Sequence, residues 1–335
     1  MTKSSPHPSK SAATPVATVA ARMVTVDSER AGQRLDNFLL SQIKGVPKSL
    51  IYKIVRSGQV RVNGGRVKVD RKLDTGDQVR IPPIRSTEPD PQDKVPPPSG
   101  FLRAMEASIL FEDDRLLVIN KPSGVASHGG SGIRHGAIET LRALRPGMSL
   151  ELVHRLDRDT SGVLVIAKKR SALRQMQALL REDHGAGITK IYTALLLGKL
   201  PKGHFQVEAP LHVGLRQGGE RHVTVHPQGK VAISHFQLRE KAGGHSLCDI
   251  RIETGRTHQI RVHAQHLGHP IAGDDKYGNE DANRQLRQDA GLRRLFLHAA
   301  QLRFTLGEGD TARAYDLEAP LPDDLVTVLQ ALRAG

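Results

Sequence analysis

The stretch LVHRLDRDTSGVLVIAKK, residues 152–169, joins a dense group of charged residues to an apolar run. Two carboxylates, those of Asp157 and Asp159, lie among cationic side chains directly before the β-branched segment GVLVIAK, 162–168. That segment predicts a buried strand, so the charged residues are expected in a loop at the edge of a sheet. The neighbouring cations favour ionised carboxylates, which suit a nucleophile or a general base.

The same residues also allow a purely structural interpretation, because aspartate followed by Thr-Ser-Gly is common in turns and alternating Arg and Asp often form ion pairs. A phosphatase with an aspartate nucleophile is not favoured, since threonine follows Asp157 after three residues instead of four. The glycine-rich segment GGSGIRHG, 129–136, lacks the G-K-[ST] and G-x-G-x-x-G patterns of nucleotide-binding loops. Kinase, NTPase and dinucleotide-binding functions are therefore not predicted.

The elements around this stretch indicate the fold class. Residues 109–121 and 192–197 are predicted as strands, and residues 170–181 as a helix. Helices and strands alternate without a regular βαβ period, and the sequence has no internal repeat. An α+β domain with a mixed, mainly antiparallel sheet is therefore expected.

A further helix is predicted over residues 257–266, with a glycine and a proline beyond its end. Four histidines fall in or after it, namely His258, His263, His266 and His269. Their spacings of five, three and three residues lack the H-E-x-x-H arrangement of two ligands one helical turn apart, so no metal site is predicted. The Arg and His side chains of this helix are expected to face a polyanion.

The N-terminal part of the chain predicts a small unit of a strand, two helices and a hairpin. Apolar residues recur at helical spacing over 35–43 and 50–55, and VRVNGG, 60–65, ends a strand in an Asn-Gly turn. Residues 44–85 contain 11 Lys and Arg against three Asp, which gives +8 of the chain's net charge of +14. Contact with a polyanion backbone is predicted here, whereas base stacking is not, because aromatic residues are few.

Composition predicts four segments along the chain. They are a disordered tail at 1–22, the small basic domain at 23–85, a proline-rich linker at 86–105 and a second domain at 106–335. Prolines lack a backbone donor and fix φ, so a semi-rigid connection is expected in the linker. The tail is rich in Ser, Thr, Ala and Pro, which is typical of a solvated segment, although an organelle transit peptide has a similar composition.

The whole chain of 335 residues, 38% of them hydrophobic, can bury a sizeable core. Its positive charge points to nucleic acid or an acidic membrane surface as partner. The single cysteine, Cys248, excludes an internal disulfide framework and Cys-based zinc or iron–sulfur sites. The sequence shows no run of 18 apolar residues and no secretory signal, so a cytoplasmic protein is expected.

Residues 34–79, RLDNFLLSQIKGVPKSLIYKIVRSGQVRVNGGRVKVDRKLDTGDQV, resemble the S4 RNA-binding domain in their R-x-D-x-x-L helix, V-N-G turn and closing G-D. The resemblance implies binding of structured RNA through the basic second helix and the hairpin. Phosphate contacts would position the protein, and RNA shape would supply selectivity. The residues implied in RNA binding are Lys48, Lys53, Arg56 and Arg61.

HRLDRDTSG, residues 154–162, is similar to the catalytic motif of the A/C/D type of ribosomal large-subunit pseudouridine synthases. Companion motifs occur in the order of that family: DDRLLVINKPSG (113–124), KIYTAL (190–195), ETGRTHQIRVHAQHLGHPIAGDDKYG (253–278) and LFLHAAQLRF (295–304). The resemblance implies that uridines of 23S rRNA are converted to pseudouridine by cleavage of the N1–C1′ bond and joining of C5 to C1′. Because this reaction has no redox change and no energy input, it implies no cofactor and no metal.

The resemblance also implies catalytic roles for three residues. Asp157 is the essential carboxylate, which acts on the ribose by attack at C1′ or by removal of the 2′ proton to give a glycal; both routes stay open. Arg256 matches the arginine that pairs with this aspartate. Tyr192 matches the tyrosine whose ring stacks on the flipped uracil and whose hydroxyl lies near the departing C5 proton.

Three further residues are implied in substrate binding. Leu297 forms the apolar floor under the uracil ring, and Arg155 and Arg158 contact phosphates or help to displace the base. The turn KPSG, 121–124, is expected to be structural and to support the catalytic loop from behind.

The implied partner is 23S rRNA or the assembling large ribosomal subunit, with no membrane, no obligate protein partner and a monomeric chain. A non-catalytic S4-containing RNA-binding or assembly factor is an alternative, but it does not account for the motifs of the second domain. An S4-bearing RNA methyltransferase is another, but it requires a glycine-rich cofactor loop after a strand, which the sequence lacks.

Overall fold

The computed structural model describes residues 16–43, 46, 48–87, 96–129, 135–181, 187–201, 203–215 and 221–334. The chain divides into two compact units, residues 1–96 and 97–335, which are described separately. The boundary between them lies inside the predicted proline-rich linker.

The N-terminal unit packs two helices on a small sheet. Its elements are β1 (Val16–Val19), β2 (Arg22–Thr25), α1 (Leu35–Gln42), α2 (Lys48–Arg56), β3 (Arg61–Val62), β4 (Gln78–Ile81) and β5 (Ile84–Thr87). Strands β2, β4 and β3 form an antiparallel sheet, and Leu35, Phe38 and Ile51 of the helices are fully buried in the core beside it. The turn after β3 has Asn63 at φ 51° and Gly64 at φ 77°, left-handed conformations that Asn and Gly tolerate best.

The structure differs from the predicted boundaries of the tail and the linker. Strand β1 pairs antiparallel with β5, so residues 16–19 of the predicted disordered tail form a strand. Helix α3 (Ser99–Ala107) lies largely within the predicted linker. Pro98 immediately precedes this helix. Proline is disfavoured in a helix interior but compatible with a helix start, so the prolines determine where the helix begins and do not prevent it. Residues 1–15 and 88–95 lie outside the described part of the chain.

The C-terminal unit is built on one mixed sheet. Its strands are β6 (Ile109–Glu112), β7 (Leu116–Lys121), β8 (Glu151–Leu152), β9 (Ser161–Ala167), β10 (Ile188–Leu196), β11 (His204–Glu208), β14 (Ile233–Ala242), β15 (His245–Ile252), β16 (Leu297–Leu306) and β17 (Arg313–Glu318). The order is β11-β14-β15-β10-β16-β9-β7-β6, with β17 beside β16 and β8 beside β9. Strands β9 and β16 are parallel and the other neighbours are antiparallel, which confirms the expected α+β fold. Strands β12 (Leu211–Leu215) and β13 (Arg221–Val225) form a separate antiparallel pair.

Helices cover the sheet and carry part of the site. They are α3, α4 (Ala137–Leu144), α5 (Arg170–Leu179), α6 (Gln259–His266), α7 (Glu280–Asp289) and α8 (Asp323–Ala334). Strands β7 and β9 pack with α5 on one face and with α4 on the other, which explains the continuous apolar run in β9. In the described part of the chain, no helix is both long and apolar enough to cross a bilayer.

Gly162 fixes the position of the loop that precedes β9. It lies at the point where β9 pairs with β16, and its φ of +115° is a conformation that side-chain-bearing residues rarely adopt. A Cβ atom at this position would collide with the backbone of Ala299. Glycine therefore allows β9 to approach β16 closely and sets the loop beside that strand.

Candidate active site

The loop between β8 and β9 contains the predicted catalytic motif and is held by the turn after β7. Lys121 is completely buried, and its ammonium donates to three carbonyl oxygens at 2.7 to 3.0 Å, one of them that of Arg158. The backbone N–H of Gly124 donates to the same Arg158 carbonyl at 2.9 Å, and the Ser123 hydroxyl donates to the Asp159 carbonyl at 2.7 Å. The prediction that this turn supports the loop is confirmed.

The Lys121 ammonium is an unusual group for a protein interior. Burial lowers its pKa to about 7, while the negative charges of Asp159 and Asp157 act in the opposite direction. Since an ammonium has three donors and three carbonyls accept from it, all of its hydrogen-bonding capacity is used. Two of the bonds stay within the turn, to Pro122 and Val125, and the third reaches Arg158 of the loop.

Asp157 is only partly exposed, and two side chains near the start of α6 face it. Its Oδ2 lies 3.8 Å from Nη1 of Arg261 and 3.9 Å from Nε2 of His258. Burial lowers the pKa of His258 despite the opposing effect of the Asp157 charge. Because a guanidinium stays protonated, Arg261 is the permanent cation beside the carboxylate.

Arg261 is itself held in a fixed position by buried partners. Its Nε and Nη2 donate to the two oxygens of Asp274 at 2.8 and 2.7 Å, and Asp274 also accepts the backbone N–H groups of Lys276 and Tyr277. The Arg261 guanidinium lies 5.1 Å from the centre of the Tyr277 ring, and the Tyr277 hydroxyl is 2.8 Å from Nδ1 of His258. These contacts orient both groups that face Asp157.

The structure corrects the predicted pairing of Arg256 with Asp157. Nε of Arg256 donates to the Val231 carbonyl at 3.0 Å, and Arg261 occupies the position beside Asp157. His258 adopts a left-handed conformation, φ 53° and ψ 20°, so the chain turns between the two arginines and α6 begins two residues later than predicted. A catalytic role for Arg256 stays a prediction.

The side chains of α6 do not all face outward, contrary to the prediction that its Arg and His residues face a polyanion. Arg261 and His263 are buried, and His263 lies 2.9 Å from the Ser234 hydroxyl and 3.0 Å from the Ala209 carbonyl oxygen. Ile260, Val262 and Ala264 are buried as well, so most of this helix lies in the interior. Among the described residues, no cluster of His, Cys, Asp and Glu is arranged to hold a metal ion.

A small pocket brings together most of the predicted site residues. Its volume is about 90 Å³, and its lining includes Asp157, Tyr192, Leu297, Arg155 and Arg256. Tyr192 on β10 pairs with Ala299 of β16, so its ring lies one strand away from Leu297. Burial and then the Asp157 charge raise the pKa of Tyr192, so its hydroxyl stays protonated. A carboxylate, an aromatic ring and an aliphatic side chain therefore surround one space.

Two larger clefts, of about 970 and 780 Å³, share Asp157 and Arg158 in their linings. Tyr192, Arg155 and Arg256 line the smaller of the two. The Arg158 side chain is exposed and forms an ion pair with Asp159 at 3.0 Å. Asp157 therefore borders two clefts, which provide room for a polymer that extends beyond one reacting unit.

The RNA-binding residues predicted in the N-terminal unit are exposed where the structure describes them. Lys53 and Arg56 project from α2, and Arg61 at the start of β3 donates from Nη1 to the Gly64 carbonyl. Arg56 lines a cleft of about 520 Å³ together with three other cationic residues. The side chain of Lys48 lies outside the described residues.

Comparison with known proteins assigns the family. The family described as RNA pseudouridylate synthase matches residues 115–266, and the S4 domain family matches residues 33–79. Ribosomal large subunit pseudouridine synthase C of Escherichia coli O157:H7 is 51% identical over 319 residues, which cover 94% of this chain and 98% of that protein. The chain belongs to the RNA pseudouridylate synthase family.

Further relatives of this pseudouridylate synthase agree with that result. The protein of the same name from Yersinia pestis is 51% identical over 313 residues, covering 93% of this chain and 96% of the relative. The solved structure of Human RNA Pseudouridylate Synthase Domain Containing 4 has 26% identity and a TM-score of 0.56, covering 70% of this chain and 96% of that chain. The expected enzyme class and S4 domain are thereby confirmed.

Proposed function

We propose that this pseudouridylate synthase converts specific uridines of 23S rRNA, free or in the assembling large ribosomal subunit, to pseudouridine. Large-subunit RNA is supported as the substrate by the names of relatives that are 51% identical over 94% of the chain. The observation that carries the proposal is the pocket of about 90 Å³ in which the Asp157 carboxylate, the Tyr192 ring and Leu297 meet.

Asp157 is the residue that acts on the ribose. In one route its carboxylate bonds to C1′ as N1 leaves, and C5 of the turned uracil then displaces it. In the other, the carboxylate removes the proton from C2′ as the N1–C1′ bond breaks, which gives a glycal, and it returns that proton to C2′ as C5 bonds to C1′. Either route needs a carboxylate anion, and Arg261 at 3.8 Å stabilises its charge without donating a proton.

Tyr192 and Leu297 hold the uracil while it turns. The Tyr192 ring stacks on the base, and Leu297 forms the apolar floor of the pocket. The proton lost from C5 in the last step is balanced by the proton gained at N1. Because burial raises the pKa of Tyr192, its hydroxyl takes part in that step as a neutral group.

RNA is held by cations on both units. Lys48, Lys53, Arg56 and Arg61 of the S4 domain bind phosphates, and Arg155 and Arg158 contact the strand beside the target nucleotide. Extrusion of a base from folded RNA costs a few kcal/mol, which these backbone contacts offset.

The test is pseudouridine mapping on unmodified 23S rRNA transcript, with carbodiimide labelling and primer extension and with no cofactor added. Wild type should produce new stops, and Asp157→Asn, which keeps the shape of the side chain but removes its charge, should produce none. The matched control is Asp310→Asn, an exposed aspartate of the same unit, which should produce the wild-type stops. RNA binding without stops from wild type, on 23S rRNA, tRNA and assembling ribosomal particles, would favour the non-catalytic binding factor.

A further inference from the structure

The cleft of about 780 Å³ beside Asp157 has a strongly cationic wall. Arg155, Arg158, Lys190 and Arg256 line it, and Asp157 is the carboxylate in its lining. These cations are not all equivalent, because Arg155 and Arg158 are exposed to solvent whereas Lys190 retains only 8% of its exposure. A buried ammonium in a substrate cleft requires a physical explanation, since removal of a charge from water is costly.

Lys190 lies two residues before Tyr192 on β10, so both side chains are on the same face of that strand. Its ammonium donates one hydrogen bond, to the Glu253 carbonyl at 3.1 Å. An ammonium has three donors, so two remain for another acceptor. In the described part of the chain, no carboxylate forms an ion pair with Lys190, and Oε1 of Glu253 accepts from His235 at 2.7 Å.

Arg256 adds a second cation close to the first. Its Nε is bound to the Val231 carbonyl, while its Nη1 and Nη2 contact no acceptor among the described residues. Burial lowers the pKa of Lys190, and the positive charge of Arg256 lowers it further, against the charge of Glu253. Two like charges of this kind oppose each other, and an anion between them would relieve that repulsion.

We propose that Lys190 and Arg256 together bind one phosphate group of the RNA strand, next to the nucleotide whose base enters the pocket of Tyr192 and Asp157. The inference rests on the proposed function and deepens it. Arg256, which does not pair with Asp157, has its terminal amino groups available for a phosphate, and a guanidinium binds phosphate through two parallel hydrogen bonds. Because Lys190 and Tyr192 share one face of β10, a phosphate held there fixes the register of the ribose relative to Asp157.

The test measures Kd for a 23S rRNA transcript as a function of KCl concentration, with the full-length protein. Arg256→Gln and Lys190→Met should each raise Kd by about tenfold at low salt, as expected for loss of a charge-assisted hydrogen bond. The double variant should lower the slope of log Kd against log salt by about one, because one phosphate contact is lost. Lys190→Arg should retain the wild-type slope, and so should the control Lys241→Gln, an exposed lysine that lines none of these clefts.

Three results would overturn the proposal. An unchanged slope in the double variant would show that no phosphate is bound there, and a decrease of about two would show two separate phosphates. An increase in Kd that Lys190→Arg does not restore would indicate a purely structural role for Lys190. Arg256→Gln alters an exposed side chain, so it keeps the test valid if Lys190→Met fails to fold.

The same titrations distinguish this inference from the proposed function, because binding needs no turnover. If the double variant has a reduced slope of log Kd against log salt but the wild type makes no pseudouridine, the phosphate site is supported and the proposed activity is rejected. If the wild type makes pseudouridine but the slope of the double variant is unchanged, the activity is supported and the phosphate site is rejected. At saturating RNA, Arg256→Gln should change the single-turnover rate less than it changes Kd.

Discussion

Helices α2 and α6 carry similar residues but use them in opposite ways. Both contain basic residues beside apolar positions, and both were predicted to face a polyanion. On α2, Lys53 and Arg56 are exposed, whereas on α6 Arg261 and His263 are buried and bonded to protein groups. A basic helix is therefore exposed to solvent in one unit and part of the support of a carboxylate in the other.

The difference has an energetic consequence. Exposed cations contribute little to stability, and their main effect is on encounter and affinity for a polyanion. A buried cation with a paired carboxylate is costly to disrupt, because removal of one partner leaves an unpaired charge in the interior. Substitutions on α6 should therefore act on unfolding and on the reaction, and substitutions on α2 on RNA affinity.

The largest effect is expected for Arg261→Met. This change leaves Asp274 buried without its partner, so the free energy of unfolding should fall by about 3–5 kcal/mol. Urea unfolding of the full chain, followed by circular dichroism, measures it. Pseudouridine formation should also be lost, since Asp157 loses its neighbouring cation.

A matched double variant separates the two roles of Arg261. Arg261→Met combined with Asp274→Leu removes both buried charges, so much of the stability should return while the activity stays absent. If Arg261→Met is as stable as wild type, substitutions on α6 lower the free energy of unfolding no more than substitutions on α2 do. The contrast between the two helices would then be wrong.

A smaller effect on stability is expected from His263, which should make the free energy of unfolding decrease at acidic pH. Burial lowers the pKa of His263 from its ordinary 6.5, so below about pH 6.5 the unfolded chain binds a proton at this site that the folded chain resists. The free energy of unfolding should therefore decrease as the pH falls through that range. His263→Gln should flatten this decrease, measured as Tm against pH, whereas His266→Gln on the exposed side of α6 should not. Identical profiles for wild type and His263→Gln would contradict the buried neutral state.

The smallest effect on stability is expected for α2. Lys53→Gln combined with Arg56→Gln alters exposed side chains, so the free energy of unfolding should change by less than about 0.5 kcal/mol. The slope of log Kd for 23S rRNA against log salt should fall by about two, while the single-turnover rate at saturating RNA stays near that of wild type. Arg287→Gln, an exposed arginine on α7, is the control and should change neither quantity. A salt-independent affinity of the wild type would contradict the phosphate contacts.

Sequence patterns located most elements because those elements depend on local periodicity. The strand predicted at 162–168 appears as β9 at Ser161–Ala167, and the helix predicted at 170–181 appears as α5 at Arg170–Leu179. The error at α3 arose because proline content describes a connection and not the helix that starts directly after it. The prediction of a disordered tail was wrong at residues 16–19, because β1 pairs with β5, which is distant in sequence.

The residues of the site also fall into two groups, those that the sequence identified and those that it did not. The motif around Asp157, the presence of Tyr192 and Leu297, and the supporting turn at Lys121 could be identified from residue types in order. The partner of Asp157 could not, because Arg256 and Arg261 are five residues apart and a pattern of residue types does not show which one faces inward.

Tertiary contacts determine which of the two arginines lies beside Asp157. The left-handed turn at His258 and the Asp274 carboxylate direct Arg261 toward Asp157, while Arg256 is held at Val231 and faces the cleft. Periodicity and motif order carry information about neighbours along the chain, and they were sufficient for the elements and the family. The distribution of charge between interior and surface depends on groups brought together from distant segments, and it required the folded structure.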